Sequence, residues 1–422
     1  MPRRLLAPLS TLLCALAIVG ALTPGAAPAS TPAAGLQAHM AHELGLAGAQ
    51  SGGYVYDMTT GQALFSERAT RRRAPASVEK LYTAATALER WGPAAQLETT
   101  VLGTGHLAPG GVWEGNLYLH GGGDPTFGTA SFIRRHYGGE GTPVTALAAQ
   151  LEHTDGIHRV TGSVEGDESY FDSLRGEPSS GYAPDPFLEG TLSAAAFNRG
   201  ETGSERGPHA PAAYAARRLR AALRAEGVAV SSPTPGGAAT TPAGAVRLAG
   251  ARSPTIAQLL GLTLPPSDNF FAETLVKDLG ASFGGAGTTA AGARVVRATI
   301  AQLGLHPRVV DGSGLSRADQ TSPYEVVTLL DELAHTPLGT LLRGDMAVAG
   351  RTGTLSERMR GTAAEGRCEG KTGTLTGVSN LVGYCATVGG DEVAFAFFTD
   401  GIGIETAHTL QDNMAVTVAD YQ

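Results

Sequence analysis

Three short motifs stand in a fixed order along the chain, and their separation is the feature that most restricts its fold. They are Ser77-Val78-Glu79-Lys80, Ser267-Asp268-Asn269 and Lys371-Thr372-Gly373, which together make the ordered set S-x-x-K, S-D-N and K-T-G. The second motif begins 187 positions after Lys80. If the three act together, the chain must leave the first motif, fold a long segment elsewhere and return to the same groove.

Lysine is rare in this chain, and two of its lysines lie within these motifs. Lys80, Lys277 and Lys371 are the three lysines among 31 lysine and arginine residues. A buried ammonium group on a flexible stem can lose its proton and act as a base, whereas a guanidinium group stays charged. Lys80 and Lys371 are therefore candidates for chemistry, and Lys277 is expected on a solvent-exposed face of a helix.

The composition predicts a globular, exported protein. With 422 residues, of which 42% are hydrophobic and 17% charged, the chain is long enough for two or three domains with substantial cores. Residues 1–29 combine Arg3-Arg4, an apolar run and the small residues Ala27-Pro28-Ala29, the pattern of a signal peptide. We expect its cleavage and a secreted or otherwise extracytoplasmic protein with no later membrane anchor; a retained N-terminal anchor is the alternative.

The net charge argues against two classes of partner. Cleavage would remove Arg3 and Arg4 and no acidic residue, so that the formal charge of −8 would become more negative still. An acidic surface does not favour nucleic acid or anionic lipid. We therefore expect no nucleic-acid partner.

Two cysteines remain after the predicted cleavage, Cys368 and Cys385. If their segments form antiparallel strands around a turn at Thr376-Gly377, the two cysteines lie directly opposite each other. An oxidising compartment then favours a disulfide, and the alternation of side chains along a strand puts it on the sheet face opposite Lys371. Two reduced, buried thiols are the alternative.

Hydrophobic patterning predicts related elements at the two ends of the chain. Residues 53–57 and 62–66 predict a hairpin, and apolar positions at three- and four-residue steps predict a helix that begins at Ser77. Near the other end, residues 391–400 predict a buried strand and 405–418 a final helix. These elements indicate one α/β domain assembled from both ends of the chain.

The middle of the chain differs from its two ends in residue composition and pattern. Residues 99–253 are rich in glycine and in short strand-like pieces, and we interpret them as inserted domains of unknown role. The catalytic domain would then be discontinuous, formed by residues 30–98 and 254–422. Ser267-Asp268-Asn269 is predicted at the start of one of its helices.

The first motif provides the parts for nucleophilic catalysis. Ser77 is the candidate nucleophile, and a serine hydroxyl needs a neighbouring base to take its proton. Lys80 lies one helical turn later on the same face, within reach of that hydroxyl. Its pKa must be lowered for this role, either by burial or by the positive charge of Lys371.

The other motifs supply a proton relay and groups that hold a substrate. Ser267 can both donate and accept a hydrogen bond, so it is a candidate relay to the leaving amine, and Asn269 can bond substrate amides and Lys80. The segment Lys371-Thr372-Gly373-Thr374-Leu375 offers a cation and two hydroxyls for a carboxylate, with Gly373 allowing a substrate backbone to pair along the strand. The backbone N–H groups of Ser77 and Thr374 are the predicted oxyanion hole.

Two other patterns could be mistaken for sites. Arg351-Thr352-Gly353-Thr354-Leu355 nearly repeats the third motif, but arginine cannot lose its proton, so we assign the site to the copy that begins at Lys371. His39 and His42 do not have the spacing of a zinc-binding helix. We expect neither a metal nor a cofactor.

These motifs together resemble those of the D-alanyl-D-alanine carboxypeptidase/endopeptidases among the class C low-molecular-mass penicillin-binding proteins. The segments that carry the resemblance are Ser77-Val78-Glu79-Lys80-Leu81, Gly121-Gly122-Gly123-Asp124-Pro125-Thr126, Gly166-Asp167-Glu168-Ser169-Tyr170-Phe171, Ser267-Asp268-Asn269, Asp311-Gly312-Ser313-Gly314-Leu315-Ser316-Arg317, Gly353-Thr354-Leu355 and Lys371-Thr372-Gly373-Thr374-Leu375. The resemblance implies an α/β penicillin-binding, serine β-lactamase-like transpeptidase domain, in which helices flank an antiparallel sheet. It also implies two small β-rich domains inserted between the first and second motifs.

The resemblance further implies an activity and its partners. Ser77 would be acylated by peptidoglycan stem peptides that end in D-Ala-D-Ala, or by D-Ala cross-links, and β-lactam antibiotics would be covalent inhibitors. Lys80 would be the base, Ser267 the relay, Asn269 and Lys371 site-shaping groups, and Thr372 and Thr374 carboxylate binders. A serine β-lactamase and a non-catalytic peptidoglycan-binding protein are the alternatives.

Overall fold

The computed structural model describes residues 32–200 and 210–422. The strands are β1 (Gly52–Asp57), β2 (Gln62–Glu67), β3 (Gln96–Ala108), β4 (Val112–His120), β5 (Arg159–Val160), β6 (Val164–Asp167), β7 (Ala229–Val230), β8 (Val246–Thr255), β9 (Ala347–Val348), β10 (Cys368–Leu375), β11 (Val378–Ala386) and β12 (Glu392–Asp400). The α-helices are α1 (Pro32–Leu46), α2 (Lys80–Trp91), α3 (Ala130–Tyr137), α4 (Val144–Ala149), α5 (Pro211–Ala225), α6 (Ile256–Thr263), α7 (Asn269–Phe283), α8 (Thr289–Ile300), α9 (Pro323–Ala334), α10 (Pro337–Gly344) and α11 (Ile404–Ala419).

The first sheet joins the two ends of the described chain. Its strand order is β2-β1-β12-β11-β10-β9, and each neighbouring pair is antiparallel. The hairpin predicted from residues 53–66, the buried strand predicted at 391–400 and the final helix predicted at 405–418 are all confirmed. One antiparallel sheet therefore contains strands from both ends of the described chain.

Alternate side chains of β12 enter two different cores, which explains the nearly continuous apolar sequence of this strand. Phe395 and Phe397 belong to the core that includes residues of α1 and α11. Ala394, Ala396 and Phe398 belong to the core formed with α2 and α6 to α10. Because successive side chains of a strand point to opposite faces, a sheet covered by helices on both faces needs apolar residues at every position.

A second sheet lies between the first and second motifs. Its order is β7-β5-β4-β3-β8, with β6 also paired to β4, and its core includes residues of α4 and α5. The sheet begins at Gln96 and ends at Thr255, slightly outside the predicted insertion of 99–253. Residues 168–200 contain no strand, and Leu188 and Leu192 join the core of the first sheet instead. The division of the chain into domains stays a prediction.

Cys368 and Cys385 lie opposite each other in the register of β10 and β11 and are joined by a disulfide. Both are buried beside α11, where each sulfur lies 4.0 Å from the carbonyl oxygen of Ala415. Lys371, three residues further along β10, points to the other face of the sheet. The disulfide thus crosslinks the strand that carries the third motif without entering the groove.

The expectation for Lys277 was wrong. This side chain is only 1% exposed, and its Nζ lies 2.5 Å from Asp172 Oδ1 and donates to the carbonyl oxygen of Leu174 at 3.0 Å. The pattern of α7 alone suggested a solvent-facing position. Residues 168–200, more than 70 positions earlier in the chain, cover that face of the helix. The periodicity of the helix sequence cannot predict a contact with so distant a segment.

The predicted signal peptide, residues 1–29, lies outside the described residues. Within the part of the chain that the structure does describe, none of the helices has both the length and the apolar character needed to cross a bilayer. The buried disulfide is typical of proteins that fold in an oxidising compartment. It therefore indicates an extracytoplasmic protein.

Candidate active site

The first motif lies where a short helical turn runs into a longer helix. Residues Ala76–Glu79 form a 3-10 turn that continues directly into α2, so the predicted helical start around Ser77 is confirmed. Lys80 follows Ser77 by three residues and therefore points to the same side. Its Nζ lies 2.9 Å from Ser77 Oγ, which is hydrogen-bonding distance.

Lys80 is buried and has two further oxygen partners. Its Nζ donates to Asn269 Oδ1 at 2.5 Å and to the carbonyl oxygen of Ser313 at 2.8 Å. Only 1% of the residue is exposed. Three oxygens therefore fix the position of this amine, and one of them belongs to the candidate nucleophile.

The second motif forms the start of helix α7. Asp268 is its N-cap residue, and Asp268 Oδ1 accepts a hydrogen bond from the N–H of Phe271 at 2.9 Å. Asn269, the first helical residue, directs Oδ1 to Lys80 and donates from Nδ2 to the carbonyl oxygen of Phe187 at 2.7 Å. Its Oδ1 is thereby occupied by Lys80, and one of the two N–H groups of Nδ2 is used by the Phe187 carbonyl.

The third motif lies on β10, between β9 and β11. Lys371 is 1% exposed, and its Nζ donates to Ser267 Oγ at 2.7 Å and to the carbonyl oxygen of Thr372 at 2.8 Å. Thr374 is exposed and Leu375 is half-buried, so these two residues lie at the rim. The structure thus brings the hydroxyls of the first two motifs and both motif lysines into one groove.

Gly373 makes the close contact between this strand and the nucleophile turn. A Cβ atom added to Gly373 would lie 2.4 Å from the carbonyl oxygen of Pro75 and 3.2 Å from the backbone nitrogen of Ser77. A side chain at this position would therefore push the strand away from the nucleophile. The glycine is required by packing inside the protein, in addition to the substrate pairing inferred from the sequence.

Burial lowers the pKa of both lysines. The pKa of Lys80 falls to about 8, although the nearby carboxyl groups of Asp311, Asp268 and Glu273 oppose the shift. The pKa of Lys371 falls well below its usual value, first through burial and then through the positive charge of Lys80. Of the two causes offered for Lys80 in the sequence analysis, burial is thus the one that operates, and the repulsion acts on Lys371.

Buried carboxyl groups position the loop that contacts Lys80. Glu273 Oε1 accepts the N–H groups of Gly312 and Ser313 at 2.9 and 2.8 Å. Asp311 accepts the N–H groups of Gly314 and Ser316, each at 2.7 Å. These bonds hold the Ser313 carbonyl toward the amine. Burial raises the pKa of Glu273 to about 8, and the Asp311 charge adds to the effect.

The sequence analysis missed Asn380, which holds the backbone just before the nucleophile. This residue lies on β11 opposite Gly373, and its Nδ2 donates to the carbonyl oxygens of Ala74 and Pro75 at 3.0 and 2.8 Å. It is 1% exposed. The available signal was an amide side chain within a buried, mostly apolar strand, because such a group needs a hydrogen-bond partner.

The near-repeat of the third motif is a neighbour of the site. Thr354 Oγ1 accepts a hydrogen bond from Thr372 Oγ1 at 2.8 Å, and residues Gly353–Leu355 form a 3-10 turn. Lys371, and not Arg351, is the residue that contacts Ser267. The segment around Thr354 therefore contacts the third motif through Thr372 and contributes no lysine to the groove.

No group of three or more histidine, cysteine, aspartate or glutamate side chains that could hold a metal occurs within residues 32–200 and 210–422. The side chains that meet in the groove are those of serine, lysine and asparagine. His39 of α1 faces Glu43 at 3.7 Å. This pair lies on a helix that covers the far face of the sheet from the groove.

Comparisons with known proteins show which family and which relatives the chain resembles. The profile described as the D-Ala-D-Ala carboxypeptidase 3 (S13) family matches residues 33–186 and 187–421. The chain is 31% identical to a D-alanyl-D-alanine carboxypeptidase of Actinomadura sp. (strain R39), covering 89% of this chain and 82% of that protein. It is 30% identical to a carboxypeptidase of Mycobacterium tuberculosis, with coverage of 90% and 83%.

Among solved structures, penicillin binding protein 4 from Haemophilus influenzae has a TM-score of 0.74 at 20% identity, covering 91% of this chain and 99% of that one. The same protein solved in complex with a β-lactam has a TM-score of 0.70 and the same coverage. At this identity the likeness shows the fold, a serine β-lactamase-like α/β domain with an additional sheet.

Proposed function

The chain belongs to the D-Ala-D-Ala carboxypeptidase 3 (S13) family and is a serine-type D-Ala-D-Ala carboxypeptidase/endopeptidase, and we propose that Ser77 carries the acyl group in its reaction. The observation that carries this assignment is the 2.9 Å separation of Ser77 Oγ from Lys80 Nζ. A buried amine with a lowered pKa at this distance is suited to take the hydroxyl proton.

In the first half of the reaction, Lys80 accepts the proton of Ser77 as Oγ attacks the carbonyl carbon of the penultimate D-Ala. The backbone N–H groups of Ser77 and Thr374 stabilise the oxyanion that forms. The peptide bond then breaks, and the proton that Lys80 took from Ser77 passes through the hydroxyl of Ser267 to the leaving D-Ala nitrogen, so that Lys80 is neutral again. The contact of Ser267 Oγ with Lys371 Nζ supports this relay, since it holds the hydroxyl in the groove.

In the second half, a water molecule attacks the ester on Ser77, and the proton of that water passes to Lys80. The new tetrahedral intermediate collapses with loss of Ser77 Oγ, which is reprotonated from Lys80. Asn269 keeps Lys80 in place through both halves, because its Oδ1 accepts from the amine at 2.5 Å. The cycle releases the shortened peptide and regenerates the hydroxyl and the amine.

We assign substrate binding to the third motif and its neighbours on β10. Thr374 holds the terminal carboxylate with its exposed hydroxyl, and Gly373 and Leu375 lie along the bound peptide. The sequence also assigned Thr372 to the carboxylate, but its hydroxyl donates to Thr354 Oγ1, so Thr372 positions the strand beside the ligand instead. Thr374 is exposed and Leu375 half-buried at the rim, as residues that meet an incoming peptide must be. β-Lactams, which resemble the D-Ala-D-Ala terminus, would acylate the same serine.

We also propose that residues 1–29 direct export and are then removed. The substrates are then stem peptides and cross-links in the cell wall, outside the cytoplasm. The buried disulfide between Cys368 and Cys385 supports this location, because it needs oxidising conditions to form. No cofactor has a role in this scheme.

The experiment that tests the proposed function compares two reactions of the secreted protein. Release of D-Ala from a stem pentapeptide is followed together with turnover of a chromogenic penicillin. A peptidase releases D-Ala repeatedly and retains the penicillin as a long-lived acyl-enzyme. Steady penicillin hydrolysis with little D-Ala release would favour a β-lactamase, and neither reaction would favour a non-catalytic binding protein.

A further inference from the structure

The second motif begins with a backbone conformation that needs support. Ser267 has a φ of 66°, in the left-handed region that residues other than glycine seldom adopt. The turn around it is closed by hydrogen bonds from the N–H of Ser267 to Leu264 and from the N–H of Asp268 to Thr263. A conformation of this kind persists only where the surrounding structure holds it.

The inserted segment, residues 168–200, supplies that support through Arg199. Its guanidinium meets Asp268 in two parallel contacts, Nη1 to Oδ2 at 2.5 Å and Nη2 to Oδ1 at 3.1 Å. Its Nε donates to the carbonyl oxygen of Glu189 at 2.8 Å, and its Cζ lies 5.0 Å from the ring centroid of Phe270. Both charged side chains are nearly buried, with exposures of 9% and 12%.

Arg199 is itself held in an uncommon conformation. Its φ is 57°, and that of Asn198 is 50°. The Asn198 N–H donates to the carbonyl oxygen of Phe127, and the N–H of Thr191 donates to the carbonyl oxygen of Arg199. Two strained turns, one in the insertion and one in the catalytic domain, thus meet through a single bidentate ion pair.

The same segment fixes the orientation of Asn269. Because Asn269 Nδ2 donates to the carbonyl oxygen of Phe187 at 2.7 Å, its Oδ1 is left to face Lys80. The Glu189 carbonyl that accepts from Arg199 is two residues from Phe187. The inserted segment therefore contacts the carboxylate of Asp268 and the amide nitrogen of Asn269.

We propose that Arg199 is a positioning residue for catalysis: through Asp268 it holds Ser267 and Asn269 in the geometry that meets Lys371 and Lys80. This proposal rests on the proposed function of Ser77 and its partners. It assigns a role to part of the insertion, which becomes a component of the active site. Loss of the bidentate contact lets the turn relax and moves the relay hydroxyl away from its partner.

The chain contains a matched control for a purely structural role. Lys277 is also buried and pairs with Asp172 at 2.5 Å, so it joins the same helix α7 to the same inserted segment. It lies about 2.5 helical turns further along α7 than Asp268. If the ion pairs only anchor the segment, breaking either one should have the same effect on the acylation rate. If the Arg199–Asp268 pair positions the motif, only its loss should slow acylation.

The test measures the rate of acylation by a fluorescent penicillin, kcat and KM for D-Ala release, and the thermal midpoint. The variants are Arg199→Lys, which keeps the charge but loses the fork, Asp268→Asn, which keeps a good N-cap, and Lys277→Met as control. We expect the first two to slow acylation by about 10- to 100-fold, since small displacements of reacting groups have effects of this size. For D-Ala release, kcat should decrease while KM changes little. Because both substitutions break the same contact, the Arg199→Lys/Asp268→Asn double variant should be no slower than the slower of the two single variants.

The control should acylate at the wild-type rate even if its thermal midpoint falls. Wild-type acylation in both Arg199→Lys and Asp268→Asn would overturn the proposal, as would equal slowing in Lys277→Met. If Arg199→Lys does not fold, the acylation rate of Asp268→Asn alone tests the proposal. Failure of the underlying function is recognised separately, because Ser77→Ala would then still be labelled by the penicillin.

Discussion

Lys80 and Lys371 occupy one buried groove, and each has a serine hydroxyl as its partner. Lys80 Nζ lies 2.9 Å from Ser77 Oγ, and Lys371 Nζ lies 2.7 Å from Ser267 Oγ. Burial disfavours the charged form of both amines, and the charge of Lys80 further disfavours a proton on Lys371. Both shifts favour the neutral amine, which is the form that can accept a proton.

The first prediction concerns the pH dependence of acylation. Lys80 acts as a base only when neutral, and its pKa is lowered to about 8. The acylation rate should therefore rise roughly tenfold per pH unit below pH 8 and level off above it. Stopped-flow acylation by a chromogenic cephalosporin between pH 5 and 10 measures this profile. A rate that stays constant across this range would show that Lys80 is not the base.

The second prediction concerns a charge-conserving change at Lys371. The larger guanidinium of Lys371→Arg cannot occupy the buried space between Ser267 Oγ and the Thr372 carbonyl, and it cannot lose its proton. We expect kcat/KM for D-Ala release to fall by about 100-fold. The control is Lys277→Arg, which places the same larger group at an equally buried position outside the groove, beside Asp172; it should retain activity even if its thermal midpoint falls. Wild-type kinetics for Lys371→Arg would contradict the assignment.

The third prediction concerns Gly373. In Gly373→Ala the new methyl group would meet the Pro75 carbonyl, so that β10 and the nucleophile turn must separate. Penicillin acylation should slow by about 10- to 100-fold. Circular dichroism should show unchanged secondary structure, because the clash is confined to the groove. An acylation rate equal to that of the unaltered protein would mean that the two segments can shift without cost to the reaction.

The fourth prediction separates stability from catalysis at the disulfide. Replacing Cys368 and Cys385 together by serine should lower the free energy of unfolding by about 2–4 kcal/mol, since the crosslink closes a loop with a sequence separation of 17. Activity at 25 °C should remain, because the disulfide lies on the sheet face away from Lys371. Denaturant unfolding and D-Ala release measure the two quantities. A loss of activity in a fully folded double variant would contradict this separation.

Local patterns in the sequence predicted much of the fold and the members of the site. The order of the three motifs required the chain to return to one groove, and the turn at Thr376-Gly377 set the register that pairs Cys368 with Cys385. These inferences worked because strand alternation and helix periodicity are local properties.

Contacts made by the insertion could not be predicted in this way. The burial of Lys277 and the pairing of Arg199 with Asp268 depend on how residues 168–200 return to helix α7. Nothing in the pattern near either partner indicates that return. The role of Glu273 could not be predicted either, because an acidic residue within a helix is usually solvent-exposed. In the structure this side chain is fully buried against a loop.

The most direct test of the account is covalent labelling of Ser77. The unaltered protein and Ser77→Ala are each incubated with a fluorescent penicillin, and the intact mass, the labelled peptide and D-Ala release are determined. We predict one penicilloyl group per molecule, located on the peptide that contains Ser77, and neither label nor D-Ala release in Ser77→Ala. Labelling of Ser77→Ala, or a label on a different residue of the unaltered protein, would contradict the account.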